Sequence, residues 1–240
     1  MANQFSMDDF LGDKIVSVGE PHLACALLLD VSGSMYGEAI GSLNAGIRRF
    51  RDSLMQDATA RKRVDIAIIT FSNVAQVISD FGPVSSMPVP ALEAGGATNM
   101  ADAIDLAIDM VKNRTHMYQN LGTPCHKPWI FMITDGISTS NPRDMQRVAE
   151  RIKMEETKGS HGRLSFWALG VDDYDSAEMF QLTNRVIELR NHDFTGIFDW
   201  LSESMTAISQ SHVGERPDLN DLPPDARKAM EDRAIDDDWY

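Results

Sequence analysis

Leu27-Leu28-Leu29-Asp30-Val31-Ser32-Gly33-Ser34-Met35-Tyr36 is the stretch on which the reading of the whole chain turns. An apolar run stops at a carboxylate, and two hydroxyls follow at alternate positions around a glycine. An unbroken apolar run marks a parallel strand buried on both faces. Asp30 then falls at or just past the carboxyl end of that strand, where open α/β sheets bind their ligands. Asp30, Ser32 and Ser34 offer only oxygen, the donor that hard divalent cations take, Mg²⁺ above all. Taken alone, the same spacing also describes an ordinary turn, so the flanking sequence has to decide.

Toward the amino terminus, residues 22–29 complete this first strand, and residues 1–20 read as a loose arm with Asp8, Asp9 and Asp13 and no continuous apolar segment, unlike a signal peptide. Toward the carboxyl terminus, Ile40, Leu43, Ile47, Phe50 and Leu54 recur at steps of three and four, the helical period. Val64 to Phe71 and Val74 to Ile78 are two strands parted only by Ser72 and Asn73, which predicts an antiparallel hairpin. Residues 82–97, rich in glycine and proline, are a loop. A helix opens at Thr98, a strand covers Trp129 to Ile133 and ends at Thr134-Asp135-Gly136, and Asn141-Pro142 caps another helix. A strand from Leu164 to Val171, a short helix near 176–184, a strand from Val186 to Leu189 and a last amphipathic helix carrying Ile197, Leu201, Met205 and Ile208 follow. Strands alternating with helices predict a doubly wound, mostly parallel α/β sheet with one antiparallel edge strand and helices on both faces.

Composition narrows the function. A formal charge of −14 over 240 residues argues against a nucleic-acid partner. No stretch is long and apolar enough to span a bilayer. The two cysteines, Cys25 and Cys125, fit a reducing cytoplasm better than a disulfide scaffold. From residue 215 onward nine acids face four bases, and prolines at 217, 223 and 224 interrupt the stretch. Such a segment buries little, so the division is an arm at 1–20, a domain at 21–211 and a flexible acidic tail at 212–240.

Oxygen donors now stand on three separated loops: Asp30, Ser32 and Ser34 after the first strand, Thr98 in Gly95-Gly96-Ala97-Thr98-Asn99, and Asp135 after the strand at 129–133. In a doubly wound sheet those two strands are neighbours at the topological switch point, and their loops face one crevice. With these residues in hand, the chain resembles the von Willebrand factor type A (VWA) family. Its metal-ion-dependent adhesion site (MIDAS) runs Asp-x-Ser-x-Ser, then a distant Thr, then a distant Asp. Asp30, Ser32, Ser34, Thr98 and Asp135 match all five positions, and the likeness covers roughly residues 22–211. Gly95-Gly96-Ala97-Thr98 and the helix at Phe198-Asp199-Trp200-Leu201 further resemble bacterial proteins of the tellurium-resistance-associated TerY type, cytoplasmic VWA proteins associated with kinases and phosphatases.

The resemblance implies that Ser32 and Ser34 bind Mg²⁺ (or Mn²⁺) directly, Thr98 directly or through water, and Asp30 and Asp135 through waters and hydrogen bonds to the hydroxyls. Neutral inner ligands leave the dication's charge largely uncompensated, and an Asp or Glu from a protein partner then supplies the missing oxygen. The carboxylates of Asp236, Asp237 and Asp238, beside Trp239 and Tyr240, are a candidate for self-contact at the same position. Two other readings compete. A phosphohydrolase using Asp30 as nucleophile needs a general acid two residues on, where Ser32 stands; no phosphate loop of the Gly-x-x-x-x-Gly-Lys kind and no Gly-x-Ser-x-Gly elbow occurs. A purely structural domain with an unused site is the other. The expectation is therefore a binding module with no catalytic residues.

Overall fold

The computed structural model describes residues 17–158, 162–172 and 174–229. Seven strands form one sheet in the order β3-β2-β1-β4-β5-β6-β7. They are β1 (Leu23–Asp30), β2 (Val64–Phe71), β3 (Ala75–Pro83), β4 (Trp129–Thr134), β5 (Ser165–Val171), β6 (Val186–Leu189) and β7 (Ala226–Lys228). The five central strands run parallel, and β3 and β7 close the edges antiparallel. The helices are α1 (Glu38–Gln56), α2 (Ala60–Arg63), α3 (Met100–Asn120), α4 (Pro142–Thr157), α5 (Ser176–Leu182) and α6 (Phe194–Gln210).

The sheet's two faces explain the apolar runs. Every residue of β1, β2, β4 and β5 is buried, because a parallel strand under helices on both sides has no solvent face. Along β1, Leu23, Cys25, Leu27 and Leu29 point to one layer with Ile47 and Phe50 of α1 and Phe198 and Leu201 of α6. Ala24, Ala26 and Leu28 point to the other, with Ile104 and Ile108 of α3 and Val148 of α4. The small residues on that face let α3 lie close. β3 is mostly half-exposed or exposed, as an edge strand should be.

The doubly wound α/β architecture is as expected, with one correction. A second antiparallel edge strand, β7, lies within the stretch expected to be a free tail. Residues 212–229 are not free: Leu219 and Leu222 pack on the core, Trp200 Nε1 donates to the Asn220 carbonyl at 2.8 Å, and Ala226 is 8% exposed. Charge count misses this because a few apolar contacts and a three-residue ladder to β6 suffice to hold the segment against α6. Residues 230–240, with the carboxylates proposed for self-contact, lie outside the described residues, as do residues 1–16 of the expected arm.

Candidate functional site

β1 and β4 pair in register, Leu29 opposite Ile133, so their carboxyl ends deliver Asp30 and Asp135 side by side. The third loop is tied in through backbone. Gly33 N donates to Gly96 O at 3.0 Å, Gly95 N to Val31 O at 2.8 Å and Asn99 N to Ser72 O at 2.8 Å. Gly96 has φ +92°, and a Cβ there would lie 2.9 Å from Asn73 Nδ2. Both facts require glycine at the turn that brings Thr98 inward. Asn73 Oδ1 accepts from Ala97 N, and Thr139 Oγ1 from Thr98 N, which pins that turn from both sides.

All five sequence-matched residues converge. Asp30 is 0% exposed, and both of its oxygens are engaged: Oδ1 accepts from Ser32 N at 2.7 Å and Oδ2 from Thr134 Oγ1 at 2.6 Å. Ser32 Oγ lies 2.9 Å from Ser34 Oγ, and Ser34 Oγ donates to Asp135 Oδ1 at 2.7 Å. A chain of hydrogen bonds therefore links the first loop to β4. Gly136 locates the centre of the cluster. A Cβ at that position would lie 3.3 Å from Ser34 Oγ, 3.5 Å from Thr98 Oγ1 and 3.9 Å from Asp30 Oδ2. Oxygens from two loops thus surround, with Gly136 of the third, one small space that a side chain at 136 would invade. A donor set of two carboxylates and three hydroxyls suits a hard cation. Among the described residues no cluster of three or more His, Cys, Asp or Glu side chains has the arrangement of a metal site.

Electrostatics follow burial. Desolvation raises the Asp30 carboxyl above its ordinary value, the hydrogen bonds from Ser32 and Thr134 oppose this, and the Asp135 charge adds to the rise. Two carboxylates crowded at a strand end, one of them fully buried, form a site short of positive charge.

Several contributors escape sequence reasoning. Thr134 holds Asp30 and accepts from Gly136 N at 3.2 Å, a bracing role that its place in Thr134-Asp135-Gly136 at the strand end does not announce. His192 lies on the rim, Nδ1 3.2 Å from Asp172 Oδ2 and Nε2 3.9 Å from Asp135 Oδ2. Asp172, at the end of β5, has φ +50°. Asp173 lies outside the described residues. Met35 is buried and belongs to the core, whereas Tyr36 is 81% exposed. Asp105 and Asp109 pair with Arg151 of α4, and Asp105 also with Arg147, so this acidic face of α3 serves helix packing.

Residues 25–137 match the model of the von Willebrand factor type A domain, and the sheet order and parallel centre give the chain the fold of the solved structures it superposes on. Among solved structures, the von Willebrand factor type A protein from Catenulispora acidiphila superposes with TM-score 0.61 at 14% identity, covering 81% of this chain and 48% of that one. The pilus adhesin SpaC from Lactobacillus rhamnosus GG, in its open conformation, gives TM-score 0.62 at 16% identity over 81% and 31%. Proximal thread matrix protein 1 from the mussel byssus, with a zinc-occupied MIDAS motif, gives 0.50 at 15% over 81% and 46%. This chain therefore spans less than half the length of each. No curated protein matches it.

Proposed function

We propose that the chain is a divalent-cation-dependent protein-binding module. The observation that carries the reading is the convergence of Ser34, Thr98 and Asp30 oxygens on the space beside Gly136. Ser32, Ser34 and Thr98 are the residues to hold Mg²⁺ or Mn²⁺, with Asp30 and Asp135 acting on its waters and on the hydroxyls. The zinc-occupied site of the mussel protein, on a fold shared with this chain, supports a cation here. When bound, the cation supplies a Lewis-acidic position that an outside carboxylate can complete.

The protein's own part is positioning. Asp30, locked by Ser32 N and Thr134 Oγ1, orients the first loop. Asp135 holds the Ser34 hydroxyl, so its lone pairs face the space beside Gly136. Three of the large apolar side chains exposed among the described residues sit on the surrounding loops: Tyr36 at 81%, Val74 at 67% and Ile137 at 62%. An acidic partner side chain flanked by apolar neighbours fits this rim, since exposed apolar groups of this kind mark interaction surfaces.

Asp30 is a poor nucleophile in the phosphohydrolase alternative, being fully buried with both oxygens hydrogen-bonded. No described helix is long and apolar enough to cross a membrane. The Cys25 thiol is pushed up to about 12 by burial, and no disulfide joins it to Cys125. The two free cysteines fit a reducing, cytoplasmic setting, and the TerY-type resemblance supports a scaffold role in a bacterial stress-response or kinase- and phosphatase-associated system.

The test is calorimetric. Mg²⁺ should bind with one site per chain, a glutamate-bearing apolar peptide should bind only with Mg²⁺ or Mn²⁺ present, and generic phosphate esters should not turn over. Ser32→Ala with Ser34→Ala should abolish cation binding while leaving the fold, since neither hydroxyl contacts the core layers. Undiminished Mg²⁺ affinity in that double variant would overturn the assignment.

A further inference from the structure

The end of the sheet opposite the oxygen cluster holds a cavity of about 490 Å³, room for two large side chains. The first residues of β4 and β5, Trp129 and Ser165, line it, together with the last turns of α3 and residues 213–217 and 219 beyond α6. Trp129, Ile208 and Leu219 give it an apolar wall, and Val213, also on the lining, is 47% exposed. The charged side chains around it are engaged with one another: Lys112 pairs with the fully buried Glu155 at 3.0 Å, Arg163 with the same carboxylate at 3.8 Å, and Lys127 acts on Glu156. What the cavity offers an occupant is therefore apolar surface, whose exposure to water is unfavourable.

The amino-terminal arm joins the domain beside this lining. His22 forms a parallel bridge with Cys125, its N donating to Pro124 O at 2.9 Å and its O accepting from His126 N at 2.8 Å. Gly19 N donates to Thr123 Oγ1 at 3.4 Å, and Arg63 links Glu20, at 2.9 Å, to the Ser209 carbonyl at the end of α6, at 3.1 Å. Cys125, His126 and Ile208 of the cavity lining thus flank the point where residues 1–16 enter. Residues 10–16 read Phe10-Leu11-Gly12-Asp13-Lys14-Ile15-Val16, two apolar pairs parted by a polar turn. β5 lies two strands from β1, about 10 Å across. Seven residues back from Ser17 to Phe10 span up to about 23 Å extended, so both pairs reach the wall with length to spare. The segment after Ala229 starts farther off. Ala229 N bonds to Val186 O, Val186 belongs to the rung of Ala168, three residues above Ser165, and β7 stands two strands from β5. Its aromatic residues, Trp239 and Tyr240, come ten or more residues later. The entropy of closing a loop grows with its length, which favours the amino-terminal arm as occupant.

We propose that residues 10–16 of the arm close this cavity, with Phe10 and Leu11 against Trp129, Ile208 and Leu219, and Ile15 and Val16 at its mouth beside Cys125. Anchoring at Ser17 makes the contact intramolecular, so a modest apolar burial holds it. The contact lies at the end of the sheet away from the oxygen cluster and needs no cation.

Cys125 is the reporter, a half-buried thiol on the lining, whereas Cys25 is fully buried with its thiol pushed up to about 12. The full chain is treated with N-ethylmaleimide under native conditions, and mass spectrometry follows each cysteine separately. Phe10→Asp with Leu11→Asp should speed labelling of Cys125 about tenfold or more, the scale of one buried apolar side chain. Cys25 should stay unlabelled, which shows that the fold is kept. Val213→Asp sets a charge on the exposed part of the lining and should speed labelling likewise with the arm unaltered. Ile235→Asp with Trp239→Asp should leave the rate unchanged. Unchanged labelling in either of the first two variants, or faster labelling in the third, would overturn the proposal.

Discussion

Gly136 separates two consequences of one atom. Its φ is not in the left-handed region, so alanine is tolerated by the backbone, but the new methyl carbon would lie 3.3 Å from Ser34 Oγ and 3.5 Å from Thr98 Oγ1. Gly136→Ala should keep its melting temperature in chelator within a few degrees and lose about tenfold or more in Mg²⁺ affinity by calorimetry, because the hydroxyls must give way by tenths of an ångström in a cluster that needs near-octahedral geometry. Asp30 makes the opposite separation. Burial raises its carboxyl in the folded state, so the fold holds this proton more tightly than the unfolded chain does. That contribution to stability is complete below the unfolded-state value and is lost as pH rises through the folded-state value. In chelator at pH 7, Asp30→Asn should therefore resist urea better than the parent, and the gap should close as the pH falls toward about 4. Saturating Mg²⁺ should reverse the order, adding about 2.7 kcal/mol to the parent at a hundredfold excess over its dissociation constant and nothing to the variant. The residues proposed to hold the cation stood out in the sequence because Asp30, Ser32, Ser34, Thr98 and Asp135 each stand at an element boundary in a fixed order, and the structure brings their side chains together. The role of Thr134 and the presence of His192 did not: Thr134 was visible only as the neighbour of Asp135, and a histidine brought in from a distant loop leaves no local pattern.

At the scale of elements, hydrophobic pattern served well, as an unbroken run where both faces are buried and as a period where one is. The fully buried strands and the 3.6-residue stripe of α1 follow from that rule. β7 did not follow, because three residues of Ala-Arg-Lys carry no alternation, and its only local signature is the pair of prolines that precedes it. The fit of α1 to α6 is equally silent in sequence. Gly46 lies in the middle of α1, where alanine ordinarily stabilises a helix by about 1 kcal/mol. Here a Cβ would lie 2.3 Å from Phe198 Cδ2, inside the contact distance of the two helices. Gly46→Ala should destabilise instead, by about 1–3 kcal/mol as an overpacked core does, and a chemical denaturation curve shows the sign directly. Phe198→Leu in the same chain should recover part of the loss, since the clash is with the ring edge.

At the scale of the whole molecule, the path of the last strand bears on whether the acidic carboxyl-terminal segment can reach the oxygen cluster. β7 runs antiparallel to β6, so the chain enters at Ala226 opposite Leu189 and passes Lys228 opposite Ile187, moving away from the loop end of the sheet. Ala229 N then bonds to Val186 O, and β7 lies four strands from β1. Four strand spacings are about 19 Å, and Val186 stands two rungs below the level of Asp30, about 7 Å more. Seven residues from 229 to Asp236 span at most about 25 Å fully extended, and nine to Asp238 about 32 Å. The segment must therefore first reverse the direction of the strand and then extend over more than half of its contour length to place a carboxylate at the site, which lowers the effective concentration that tethering gives. Ending the chain after Ala229 should accordingly leave Mg²⁺-dependent affinity for a glutamate-bearing peptide unchanged within about twofold, with the melting temperature preserved because β7 is intact. Ending it after Val213 should lower the melting temperature by several degrees, since Leu219, Leu222 and Ala226 leave the core. A tenfold tightening of peptide binding on removing 230–240, itself lost in Ser34→Ala, would place the acidic segment on the metal site despite the strand's direction.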